Sequence, residues 1–141
     1  MTAEEYLTRY KQMAARVKML RAEIERLRTE AESMSINLDG MPRGSSISDK
    51  TARLAIEIAE RMTALEAEAS VVFTESMKIV DMIGRVENPK QQALLYKRYI
   101  QDKKWGEIAV EMRYAYQWVA GPLHDRALKA FEEVMKENER V

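Results

Sequence analysis

Between residues 2 and 35 the apolar side chains fall at Ala3, Tyr6, Tyr10, Met13, Val17, Leu20, Ile24, Leu27, Ala31 and Met34, in alternating steps of three and four. That spacing is the a/d seam of a helix that buries one narrow stripe against another helix, and a strand, whose side chains alternate with a period of two, cannot use it. At about 1.5 Å per residue the helix is roughly 45–50 Å long. Thr2 and Glu5 have the spacing of a capping box at its start. Glu23, Glu25, Arg26 and Arg28 are placed for exposed ion pairs that contribute little individually. The seam serves either a coiled coil between chains or one arm of a hairpin within the chain.

From Ser35 to Ser48 the periodicity stops in a stretch with two of the five glycines, one proline and four serines. It reads as a connector, with turn candidates at Asp39-Gly40 and Arg43-Gly44 and no P-loop spacing for a nucleotide. Ser48 is placed to cap a second long helix. Its seam runs through Leu54, Ile58, Met62, Leu65, Ala69, Val72, Ser76, Val80 and Ile83, and Gly84 ends it. A connector of this length reverses the chain, so residues 1–84 are expected to form a long antiparallel, coiled-coil-like hairpin for oligomerisation or docking.

Composition narrows the function classes. There is no cysteine and a single histidine, His124, so thiolate chemistry and His-pair metal motifs are excluded. Charged residues make up 33% and glycine and proline are scarce, which fits an all-α soluble chain. The many glutamates read as solvated helix faces, so the chain is expected not to be an enzyme and to need no cofactor or metal. No apolar run reaches the ~18 residues of a membrane span and no signal peptide opens the chain, so a cytoplasmic location without membrane contact is expected.

Residues 85–141 read differently. Asn88 is placed as an N-cap and Pro89 as a first helical residue, with Leu94, Leu95, Tyr99 and Ile100 on the apolar side. After the polar break Gln101–Lys104, Trp105, Ile108, Ala109 and Met112 mark one face of a second helix. Arg113 and Tyr114 form a tight joint, and a third helical segment begins near Ala115. Helix, tight joint and helix make the helix-turn-helix pattern, whose second helix enters the DNA major groove. Between Arg85 and Phe131 there are nine basic and five acidic residues, a modest positive excess in a chain of zero net charge.

The run RYIQDKKWGEIAVEM, followed by RYAYQWV and LHDRALKAF, resembles region 4 of sigma-70-type factors. It is closer still to small phage regulators similar to the ArpU and RinA late transcriptional regulators. The resemblance covers roughly the last third of the chain and implies a phage-encoded transcriptional regulator in a bacterial host cell. It also implies double-stranded DNA as a partner, with RNA polymerase as a further one. The first turn of the recognition segment holds Tyr116, Gln117 and Trp118, suited to base edges. Lys103, Lys104 and Arg113 lie at turns and suit phosphates, and His124 and Arg126 match the LHxRAL motif and also suit phosphates. Trp105 and Val119 read as core.

The chain departs from the family pattern in two places. Ala115 stands where a capping serine is common, and Ala120-Gly121-Pro122 interrupts the recognition helix with one additional residue. Proline inside a helix costs ~3 kcal/mol or more. The expectation is therefore a segment ending near Ala120, a break at Gly121, and a redirected helix from Pro122 to about Lys136. Two rival readings remain open. One is a phage packaging factor similar to terminase small subunits. The other is a protein-interaction adaptor that has lost DNA binding through Gly121-Pro122.

Overall fold

A computed structural model describes residues 1–38 and 45–140; for residues 35–38 and 45–48 it describes the backbone alone. Among the described residues every regular element is helical: α1 (Ala3–Leu38), α2 (Ser45–Gly84), α3 (Pro89–Leu95), α4 (Trp105–Met112), α5 (Tyr116–Trp118) and α6 (His124–Glu139). α3 continues without a gap into a π-helical turn, Tyr96–Ile100, and a second π-helical turn, Val119–Leu123, joins α5 to α6. No described helix is long and apolar enough to cross a membrane.

The local signals explain where most helices start and stop. Thr2 and Glu5 form the expected capping box, each side chain accepting from the other's backbone N–H at 3.2 Å. Asn88 Oδ1 accepts from the N–H groups of Lys90 and Gln91, with Pro89 at the first position of α3. Gln92 Nε2 donates to the carbonyls of Ile83, which also accepts from the Val86 N–H, and Gly84 at the end of α2. Asp102, in the polar break, adopts a left-handed φ of 55°, a conformation that aspartate tolerates better than most residues.

The connector is shorter than expected. α1 continues to Leu38 because Ile36 and Leu38 carry no breaker, and α2 starts at Ser45, so Ser48 lies within the helix instead of capping it. Asp39-Gly40 and Arg43-Gly44 fall outside the described residues.

The chain groups into two compact units, Ala14–Val71 and Met1–Met13 with Val72–Val141. The division passes through both long helices, not through the link after Gly84. In the first unit, Val17, Ile24, Leu27 and Leu54 are buried. Arg16 Nε donates to both carboxylate oxygens of Glu68 at 2.9 Å, and Arg28 donates to Met62 Sδ. These pairs advance along α1 as they retreat along α2, so the two helices run antiparallel there. Arg26 pairs with Glu23 and Arg28 with Glu25 on the exposed side of α1.

In the second unit the start of α1 and the end of α2 pack with the short helices. Leu7, Ile79, Leu94, Leu95, Ile108, Val119 and Phe131 are fully buried. Tyr6 stacks on Phe131 with ring centroids 6.3 Å apart and donates to Glu75 at 2.9 Å. Tyr6 and Glu75 thus tie both long helices into this core, and Phe131 brings in α6.

Every residue of the first seam is buried or half-buried. The second seam changes register near its end: Ile79 is fully buried whereas Val80 is 41% exposed. Spacing Val72, Ser76, Ile79, Ile83 restores the alternation of three and four that a straight helix needs to keep one face inward.

Candidate nucleic-acid interface

α4 ends in a Schellman arrangement. The N–H of Arg113 donates to Val110 O at 3.3 Å and that of Tyr114 to Ala109 O at 3.1 Å. This closure places Arg113 at φ 60°, ψ 42°, the left-handed region where glycine would fit with less strain. Ala115 is extended and makes no side-chain cap, as its lack of a hydroxyl requires. The joint delivers α5 with Tyr116 and Gln117 exposed in its first turn.

The expected break after Val119 is absent. Trp118, Val119, Leu123 and His124 all hold right-handed helical backbone, and helix runs continuously from Tyr116 to Glu139. The π-helical turn Val119–Leu123 takes in both Gly121 and Pro122. In a π turn each N–H reaches back five residues instead of four, so the Trp118 carbonyl matches the N–H of Leu123, not the one Pro122 lacks. The additional residue is absorbed as a local widening of the helix, which stays continuous through it.

The eight residues expected to touch DNA divide into groups. Tyr116, Gln117, Lys104, Arg113 and Arg126 are exposed. Trp118 is half-buried, with the Arg126 guanidinium 5.1 Å from its ring centroid.

Lys103 does not stand free for a phosphate. It and Lys97 both bind the Glu111 carboxylate, Lys97 Nζ at 3.1 Å. Hydrogen bonds from Lys103 and then Lys97 hold the Glu111 carboxyl below its ordinary range. His124 is likewise engaged internally. Its Nε2 lies 2.7 Å from Tyr99 Oη, and its ring meets the Trp105 ring edge-on at 4.7 Å. Burial is the main cause that lowers its pKa, and burial raises the Tyr99 phenol to about 12. The half-buried imidazole is thus engaged with Tyr99 and Trp105 inside the module. Arg98 is structural as well: its guanidinium lies 4.5 Å from the Trp105 ring centroid and donates to Lys103 O.

A shallow open groove lies where the start of α3 meets the α4–α5 joint and the helix beyond it. Asn88, Lys90, Gln91, Tyr114, Ala115, Trp118, Leu123 and Arg126 line it. Lys90 lies over the Tyr114 ring at 5.3 Å, matching the Arg126–Trp118 pair. No carboxylate lines the groove. Trp118 and Arg126 were legible candidates. Lys90, Gln91 and Tyr114 were not, because only the packing of α3 beside the joint brings them there. Among the described residues no group of three His, Asp or Glu side chains stands close enough to hold a metal ion. No protein-family model matches this chain, and no curated protein or solved structure does either.

Proposed function

We propose that this chain is a sequence-specific, double-stranded-DNA-binding transcriptional regulator of phage origin. In this reading a long antiparallel helical hairpin is followed by a helix-turn-helix module resembling sigma region 4. The observation that carries it is the α4–α5 joint. A tight left-handed closure at Arg113 is followed directly by a helix that exposes Tyr116 and Gln117 in its first turn, the place from which recognition helices reach base edges. An arginine kept where glycine would be less strained adds support, since such a cation at the joint suits a neighbouring phosphate. The unbroken helical backbone through Pro122 removes the argument that the recognition helix is broken. Self-association through the long helices draws support from apolar side chains that α2 leaves exposed, Phe73 at 65% and Met77 at 59%.

The test is selection of bound fragments from a genomic DNA library by the full chain at low salt, followed by fluorescence anisotropy on the enriched duplex. Gln117→Ala is expected to relax preference at one base position without changing the salt dependence. If no duplex binds at low salt while the fold is intact by circular dichroism, the regulator reading is wrong. Light scattering on the same samples separates a dimer, expected for a regulator, from a ring, expected for a packaging factor. The adaptor reading draws on one observation: Glu111 neutralises two of the module's lysines.

A further inference from the structure

We propose that the groove between α3 and the α4–α5 joint seats a backbone phosphate of the bound DNA strand, with Lys90 and Arg126 as its two ligands. The inference rests on the DNA-binding reading and adds Lys90 and Tyr114, which the sequence did not mark as DNA contacts.

Three features of the groove support it. First, its cations are available. Among the described residues neither Lys90 nor Arg126 enters an ion pair, whereas Lys97 and Lys103 on the same module are held by Glu111 and Arg85 by Asp81. Second, both are pre-positioned. Each lies over an aromatic face, Lys90 on Tyr114 and Arg126 on Trp118. An exposed cation–π contact is weak, so it restrains a long side chain without competing with a phosphate for its charge. Restraint matters because a free lysine or arginine loses rotamer entropy when it is ordered. Third, the charge of the groove has one sign. The remaining polar lining residues, Asn88, Gln91, Tyr114 and Trp118, are uncharged amides and aromatics, and no carboxylate is present to repel an anion.

Position selects a nucleic-acid phosphate over an acidic peptide. Trp118 forms one wall of the groove and follows directly on Tyr116 and Gln117 in α5. A strand whose bases meet Gln117 must carry its phosphates past one edge of this helix, and Trp118, the next residue, lines the groove. The contact would fix register on the duplex without reading sequence.

The test uses the full chain and the enriched duplex, with a random duplex beside it. Lys90→Gln and Arg126→Gln are each expected to reduce the slope of log K against log salt by about 0.9, and to weaken both duplexes by the same factor. Lys129→Gln, on α6 outside the groove, is expected to leave the slope unchanged. Tyr114→Leu keeps the charge and removes the platform; it is expected to keep the slope and weaken binding. Unfolding is excluded by matching thermal melts. If Lys90→Gln and Arg126→Gln keep the wild-type slope while Arg113→Gln or Lys104→Gln reduces it, DNA binding stands and the groove is not the phosphate seat. If the wild type binds no duplex but binds a poly-glutamate peptide in a Lys90-dependent manner, both this inference and the DNA reading are overturned, and the groove serves a protein.

Discussion

Replacing Gly121 by alanine is expected to stabilise this protein. Gly121 lies in the π-helical turn between Val119 (φ −68°, ψ −47°) and Leu123 (φ −65°, ψ −43°), and its own φ is not in the left-handed region. A Cβ built there meets no atom within 4 Å. Alanine therefore adds no clash and removes backbone freedom from the unfolded chain, a gain of ~0.5–1 kcal/mol. For a chain of this size that corresponds to a rise in melting temperature of about 2–3 °C. Urea denaturation followed by helical circular dichroism measures the same quantity at constant temperature. The opposite sign would refute the reasoning. If the helix broke at Gly121, the glycine would occupy a conformation that alanine resists, and the substitution would destabilise. Pro122→Ala supplies a second reading of the same turn. In an ordinary helix interior proline costs ~3 kcal/mol or more, so a gain of that size would mean that the π turn fails to accommodate the ring. A much smaller gain is expected.

Three further outcomes test other parts of the structure. Ile79→Ala is expected to cost ~2–5 kcal/mol in chemical denaturation and Val80→Ala less than ~0.5 kcal/mol; the reverse order would put α2 in the register expected from sequence. His124 has a folded pKa below its ordinary 6.5, so the folded form binds its proton less readily than the unfolded form does. Its contribution is present above about pH 6.5 and is lost as pH falls from there through the lowered value, and His124→Gln should flatten that part of the stability profile. An unchanged profile in the variant would show that His124 is not the group responsible. Arg113→Gly relieves the left-handed residue at the joint and is expected to stabilise the fold by about 1 kcal/mol while reducing the salt slope of DNA binding by about one; a loss of stability would contradict the relief.

Local chemistry made much of this architecture legible in the residues alone. A seam spaced three and four from Ala3 to Met34 can be buried only along a helix, and all of it lies on the inward side. Thr2 with Glu5, and Asn88 with Pro89, are short-range devices whose partners lie within a few residues, so they form where sequence places them. The joint at Arg113-Tyr114 was legible for the same reason: only a tight closure fits between two apolar faces so close together.

Packing decided what those local signals left open. Val80 and Ile79 are both apolar β-branched residues, and only tertiary packing settles that Ile79 is the one enclosed. His124 and Lys103 looked like solvent-facing ligands, yet Tyr99 and Glu111, each on a different helical element, draw them into contacts within the module. Lys90 meets Tyr114 for the same reason, across a fold that no motif encodes. The turn at Pro122 joins the two levels. Val119, Leu123, Ala127 and Phe131 are spaced by successive fours, and each such step drifts about 40° on an ideal helix. That spacing is written in the sequence. The cost of proline in a regular helix argued for a break, whereas enclosing all four side chains in one core favours a widened turn that corrects the drift and tolerates the ring. Local propensity acts on one residue at a time, while burial acts on four at once, and here burial prevails.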